Sequence, residues 1–241
     1  MRFCVCIKQV PDISASVQTG RMVLNAYDAS AVEEALVLTG DNDGTVDLVL
    51  IGPDSARETI RKALAMGADS ATHIVREDAA QLDSQAISEI LAAHFADAGY
   101  DVIATGKQSQ DSDSGLAGSM LAERLGIPYA SNAVGLAIDG TDLIVTRQGD
   151  SGQEVLALRT PCLVTCSNDM NDPRIPSLKG IMGAKRKPLD EKESTGDTSA
   201  TRVVGLEPVP VREAGQAFEG EASDLAKILV DKLINEAGVT L

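Results

Sequence analysis

Tryptophan is absent, and only three phenylalanines and three tyrosines occur in 241 residues. The core must therefore be built from Val, Ile, Leu and Ala. Basic residues are also scarce, 21 against 36 acidic ones, for a net charge of −15. That field repels a phosphate backbone and sets nucleic-acid binding aside as a main role. No apolar run approaches the roughly 20 residues that cross a bilayer, so the chain is not expected to be membrane-embedded. The first apolar run, Phe3 to Ile7, stops at Lys8 and is too short for a signal-peptide core. These features lead to the expectation of a soluble, intracellular chain.

Catalytic patterns are missing too. The two histidines, His73 and His94, do not form a catalytic set, and His94 lies on the apolar stripe of a predicted helix. There is no G-x-S-x-G elbow, no G-x-x-x-x-G-K-[ST] and no G-x-G-x-x-G. Carboxylates are plentiful, but nothing pairs them for acid–base work. A binding or carrier role gains weight by elimination.

The four cysteines are Cys4, Cys6, Cys162 and Cys166. On a strand, each pair shares one face. The C-x3-C spacing formally fits a metal site. Both pairs sit in Val/Leu/Ile-rich runs without the Gly turns of a zinc knuckle, which reads better as small, reduced core residues.

The first half alternates. Apolar runs at Phe3–Ile7, Val46–Ile51, Thr72–Val75 and Val102–Thr105 read as strands. Between them lie segments of helical spacing: Ser30–Leu38, a helix opened by Ser55-Ala56-Arg57-Glu58 as a capping box, and a helix capped by Ser84 and ending near Gly99. Strand, helix, strand, helix predicts a doubly wound, mostly parallel α/β sheet. After Pro128 the strands Val134–Ile138, Leu143–Thr146, Val155–Leu158 and Leu163–Cys166 follow without helices, which predicts an antiparallel extension. Residues 190–220 read as an extended linker. Ser223–Asn235 is a final amphipathic helix, forming with the linker a C-terminal arm. The expected division is a domain over 1–190 and an arm over 191–241.

Three segments could carry function. Asn25-Ala26-Tyr27-Asp28 precedes a helix, where Asn and Asp either cap it or face a ligand beyond the strand ends. Gly106 to Gly118 follows a strand and leads into the helix of Met120 and Leu121. Its glycines and small polar residues leave backbone N–H groups free for phosphate at a helix N-terminus. Asn171 to Pro188 carries five of the 21 basic residues. It is either a short helix with basic residues at its C-terminal end or a docking surface with Ile175 and Leu178 as apolar anchors.

Together these segments resemble the beta subunit of electron transfer flavoproteins and the related FixA-type proteins. Cys6-Ile7-Lys8-Gln9-Val10-Pro11-Asp12 matches the first strand and turn. Asn25 to Leu36 matches Asn-Pro-Phe-Asp with Ala-Val-Glu-Glu-Ala, Ala26 replacing Pro. Thr59 to Asp69 is close to the family consensus, and Asn171 to Lys187 carries Asn-x-Pro-Arg-x-Pro followed by Ala-Lys-x-Lys.

The resemblance implies an adenine nucleotide α-hydrolase-like fold and a heterodimer with an alpha subunit that holds most of the FAD site. It implies that this chain binds structural AMP through Cys6, Asn25, Ala26, Tyr27, Asp28, Ile51, Gly106, Lys107, Gln108, Asp111, Ser112, Asp113, Ser114, Gly115, Leu116 and Ala117. Arg147 would lie near the alpha subunit's flavin. Arg174, Ile175, Pro176, Leu178, Lys179, Ile181 and Met182 would dock partners: flavin dehydrogenases, such as those for acyl-CoA in fatty acid oxidation, and a quinone oxidoreductase. The place would be the cytoplasm or the mitochondrial matrix.

AMP-binding members carry Asn-Gln-Thr-Gly in the second segment, and flavin-bifurcating members carry Asp-Gly-Asp-Thr-Ala-Gln-Val-Gly. Asp111 to Gly118 matches neither. The short Arg21–Asp28 entry resembles the AMP-binding members. The alternative is a bifurcating subunit that binds a second FAD and takes part in NADH oxidation.

Overall fold

The computed structural model describes residues 1–13, 20–41, 43–194, 199–205, 207–211 and 214–240. In chain order its elements are β1 (Arg2–Ile7), β2 (Gln9–Pro11), β3 (Met22–Leu24), α1 (Ala26–Asp41), β4 (Thr45–Gly52), α2 (Arg57–Met66), β5 (Ser70–Val75), α3 (Ser84–Phe95) and β6 (Val102–Gly106). There follow α4 (Ala117–Leu125), β7 (Tyr129–Asp139), β8 (Asp142–Gly149), β9 (Gly152–Arg159), β10 (Cys162–Cys166), α5 (Leu178–Ala184), β11 (Leu189–Glu193) and α6 (Ala222–Asn235).

Nine strands form one sheet in the order β11-β5-β4-β1-β6-β10-β7-β8-β9, and β2 pairs with β3 in a separate hairpin. The first seven strands of that order run parallel, and β8 and β9 continue it antiparallel. Strand periodicity sorts the side chains onto two faces. Phe3, Val5 and Ile7 pack with Val32 of α1 and Ile60 and Leu64 of α2. Cys4 of the same strand packs with Leu91 and Phe95 of α3 and Leu121 of α4. Helices thus cover both faces, which is the doubly wound arrangement the alternation predicts.

Several expectations are corrected. Leu163–Cys166 is not part of the antiparallel extension: β10 inserts between β6 and β7 and is parallel to both. A strand buried on both faces, as all five β10 residues are, carries no signature of its neighbours' direction. Ser55 does not cap α2, because Asp54–Ala56 form a 3-10 turn leading into it and no side chain caps either element. Asp83, not Ser84, caps α3, accepting the Ala86 N–H at 3.0 Å. β11 lies at the start of the expected linker. Its sequence LDEKE has one apolar residue, so no period marks it as an edge strand beside β5.

The chain forms two compact units, Met1–Val203 and Val204–Leu241. In the second, α6 has no buried residue. The parts of the expected linker at 195–198, 206 and 212–213 lie outside the described residues.

Candidate functional site

β4 flanks β1 on one side and β6 on the other, so chain direction across the sheet reverses at β1/β6. Crevices at the carboxyl ends of strands beside such a switch point are where open α/β sheets bind ligands. Two predicted segments meet there. Asn25 Nδ2 donates to the Gln108 carbonyl at 2.9 Å, and Asn25 Oδ1 accepts the Gln110 N–H at 3.1 Å. Gln110 Oε1 accepts the Ala26 N–H at 3.0 Å. Asp28 Oδ2 accepts the Lys8 N–H at 2.7 Å, and Oδ1 accepts the Gly106 N–H at 2.9 Å. Asn25 and Asp28 are buried, and their polar atoms join the ends of β1, α1 and β6 rather than open solvent.

Asp28 is unusual electrostatically. Burial pushes its carboxyl up to about 7, against the pull of hydrogen bonds from Asn25, Lys8 and Gly106 and the Lys8 charge. Gly106 is required by packing, since a Cβ there would overlap Asp28 Oδ1 and lie 2.6 Å from Tyr27 Cβ.

The loop after β6 is held from within. Lys107 N–H donates to the Cys166 carbonyl at 2.8 Å, and Ser109 N–H to the Ser114 carbonyl at 2.9 Å. Lys8 Nζ pairs with Asp111 at 2.9 Å and donates to Ser109 Oγ at 3.2 Å. Burial raises Asp111, but the bonds from Ser109 and Lys8 outweigh it and hold the carboxyl below its usual range. Gln108 Nε2 donates to Asp113 Oδ1 at 3.0 Å, and Asp113 takes a positive φ of 52°. Ser114 Oγ meets Ser84 Oγ of α3 at 3.1 Å. Asp111, Ser112, Asp113, Ser114, Gly115 and Leu116 are exposed.

At the end of this loop, α4 begins at Ala117 with Leu116 as N-cap and no side-chain cap bond. No side chain takes up its first-turn amides, the groups that hold an anion where one binds a helix N-terminus. A Cβ on Gly118 would lie 2.8 Å from Thr165 Cγ2 and 3.1 Å from Thr105 Oγ1, so glycine lets α4 start directly over the strand ends. Cys6 and Ile51 are partly buried on the same face of the sheet. Burial first, and the Asp28 charge second, push the Cys6 thiol well up, so it is a neutral apolar group. The chain thus offers an apolar strip beside uncapped amides, and these residues fit an adenine nucleotide: the strip suits a purine and the amides a phosphate.

Arg147 is not brought to this cleft. β10 and β7 separate β8 from β6, which is about 14 Å at the usual strand spacing. Its Nε and Nη2 donate to Ser131 O and Oγ, and Nη1 pairs with Glu154 at 3.0 Å. It does share the sheet edge, since Arg147 pairs with Ala133, Ala133 with Cys166 and Cys166 with Gly106.

The third segment is strapped to the body. Asn171 Nδ2 donates to the Ser30 carbonyl and to Glu34. Arg174 makes two side-chain bonds and one backbone bond to Glu33. Burial raises Glu33, but the Arg174 bonds and charge outweigh it and leave the carboxyl below its usual range. Lys187 Nζ donates to the carbonyls of Leu64, Gly67 and Ala68 at the end of α2. Two of the five basic residues are therefore structural. Between the straps, Ile175, Leu178 and Met182 are 93%, 75% and 65% exposed, and Ile181 is also exposed. Pro176 is half-buried and Lys179 exposed.

Sequence reasoning left Lys8 and Glu33 out of the site residues, and took in Ser109 and Gln110 only as part of the 106–117 loop. Lys8 had a signal, being the first polar residue after β1. Glu33 looked like any helix carboxylate. Among the described residues no cluster of three or more His, Cys, Asp or Glu could hold a metal, and no helix is long and apolar enough to cross a membrane.

A family model described as the electron transfer flavoprotein domain matches residues 15–196. The electron transfer flavoprotein subunit beta of Bradyrhizobium diazoefficiens is 37% identical, over 99% of this chain and 100% of its own. That of Bacillus subtilis is 34% identical over the same shares. The caffeyl-CoA reductase-Etf complex subunit CarD of Acetobacterium woodii is 35% identical, over 97% of this chain and 98% of its own. A match that spans the sheet, the switch-point cleft and the strapped segment alike has one meaning: the chain belongs to the electron transfer flavoprotein family, among its beta subunits.

Proposed function

We propose that this chain is the beta subunit of a heterodimeric electron carrier, binding AMP in the switch-point cleft and docking redox partners through residues 174–182. The observation that carries the AMP reading is the uncapped start of α4 beside Gly115 and Gly118, with Cys6 and Ile51 next to it. Ala117, Gly118 and the preceding loop would hold the phosphate, and the apolar strip would take the adenine. AMP supplies no redox chemistry. Its role is to hold the cleft together, as the Asn25 and Asp28 bonds already do in part. The redox flavin is FAD held mainly by the alpha subunit, with Arg147 at the sheet edge facing it. A flavin dehydrogenase delivers electrons, and a quinone oxidoreductase receives them. The exposed apolar crown amid Lys179, Lys185 and Arg186 suits a partner with an apolar pocket and an acidic rim.

One observation favours a second reading. Residues 111–116, the loop before α4, are all exposed, as a longer dinucleotide ligand reaching past α4 would require. In that reading the chain holds a second FAD and serves a bifurcating complex that oxidises NADH. Co-expression with the alpha subunit, followed by denaturation and analysis of released cofactors, separates the two. One FAD and one AMP per heterodimer is expected. Two FAD without AMP, together with NADH oxidation, would replace the first reading by the second.

A further inference from the structure

The apolar crown of residues 175–182 sits on a chain segment with little structure of its own. Residues 171–177 form no helix or strand, and α5 has only seven residues. A helix that short does not persist unaided in water. Its trailing end is fixed by burial of Ala184 and by Arg61, which donates to the carbonyls of Ala184 and Lys187 at 2.7 and 2.8 Å. Its leading end hangs on α1. There the Glu33 side chain is 11% exposed against 44% for Arg174. Glu33 Oε2 accepts from Arg174 Nε at 2.7 Å and from its backbone N–H at 3.0 Å, and Oε1 accepts from Nη2 at 2.8 Å. One fixed carboxylate on a rigid helix thus sets both the side chain and the backbone of Arg174. The next residue, Ile175, is the most exposed member of the crown.

We propose that Glu33 is the positioning residue of the docking segment: its three-point grip on Arg174 holds the 175–182 crown in its binding conformation before a partner arrives. This rests on the docking role assigned above to that segment. A crown held in advance loses less conformational entropy on association, so the grip acts on affinity and not on the electron-transfer step itself. Asn171 reinforces it from Ser30 and Glu34, but its two bonds come from one nitrogen and do not orient the backbone at 174.

The test uses the holo heterodimer and, as donor, whichever of a panel of acyl-CoA dehydrogenases reduces the wild type fastest. Glu33→Gln keeps the shape and removes the charge. KM for the dehydrogenase should rise about tenfold, with kcat at saturating donor and cofactor content unchanged. Amide exchange should quicken across 174–182 and stay the same in α1. Arg174→Gln should raise KM at least as much as Glu33→Gln, and the double variant should be no worse than Arg174→Gln alone, since one interaction is lost once. Additive losses, or a fall in kcat or cofactor content together with KM, would mean a merely structural role and overturn the inference. Leu178→Ala is the control. If Leu178→Ala raises KM and Glu33→Gln does not, docking stands and the Glu33 inference falls. If Leu178→Ala has no effect, the docking reading itself falls. Should Glu33→Gln fail to assemble, Glu33→Asp, which keeps the charge but is one methylene too short for the paired contact, carries the same expectations.

Discussion

Asp28 Oδ1 accepts the backbone N–H of Gly106 at 2.9 Å, seventy-eight residues along the chain. With Oδ2 on Lys8 N–H, one buried carboxyl joins the carboxyl ends of β1 and β6, the two parallel strands between which the order of strand addition reverses.

Replacing Asp28 by Asn keeps the shape but turns an NH2 group toward one of the two backbone donors. An unsatisfied buried N–H costs about 1–3 kcal/mol. The pH dependence is more diagnostic. A carboxyl raised from 3.8 to about 7 binds a proton in the folded state that the unfolded state has released. Its contribution is therefore full below pH 3.8 and is lost as pH rises through about 7. The stability gap between wild type and Asp28→Asn should be larger at pH 5 than at pH 8. Urea denaturation at the two pH values measures it, and a gap that widens with pH would contradict the assignment.

Gly106→Ala places a methyl where Asp28 Oδ1 and Tyr27 Cβ already sit. Overpacking of this kind costs about 1–3 kcal/mol, and here the displaced groups are those that join the cleft. The purified heterodimer should retain less nucleotide than wild type, measured by chromatography of the denatured extract, while FAD content is unchanged.

Lys187→Met should destabilise the chain by about 1–3 kcal/mol, because the carbonyls at the end of α2 lose a shared donor and, among the described residues, only that of Leu64 keeps another, the Gly67 N–H. Those acceptors are Leu64, Gly67 and Ala68. Chemical denaturation reads this directly. Electron acceptance at saturating dehydrogenase should be unaltered in the surviving folded protein, since buried Ala184 and Arg61 still fix the trailing end of α5.

Among the described residues, deleting 204–241 removes none of the buried core. In α6, Leu229 is 59% exposed, and Ile228 and Leu233 are also exposed. A helix with so much apolar surface in water suits a partner's groove. The melting temperature of the shortened chain should equal that of the full chain, while co-purification of the alpha subunit falls sharply.

The parallel half of the fold was legible because each buried strand there is a continuous apolar run and each crossover helix an interrupted one. Cys162–Cys166 misled for the same reason: five buried residues in a row fit any neighbour in either direction. β11 escaped notice because an edge strand facing solvent needs no apolar period. Of the cleft, the sequence marked Asn25, Asp28 and the 106–118 loop by residue type and by position after strands. It could not show that Asn25 and Asp28 turn inward.

By itself, then, the sequence determined the element types, the covered faces of the sheet and the family, because hydrophobic period and local motifs are properties of contiguous residues. Tertiary structure alone decided which polar groups bind each other. Asp28 meets Gly106, Lys8 meets Asp111 and Glu33 meets Arg174 across separations of 78, 103 and 141 residues. Such pairs are chosen by the approach of rigid elements in space, and no local pattern encodes that approach.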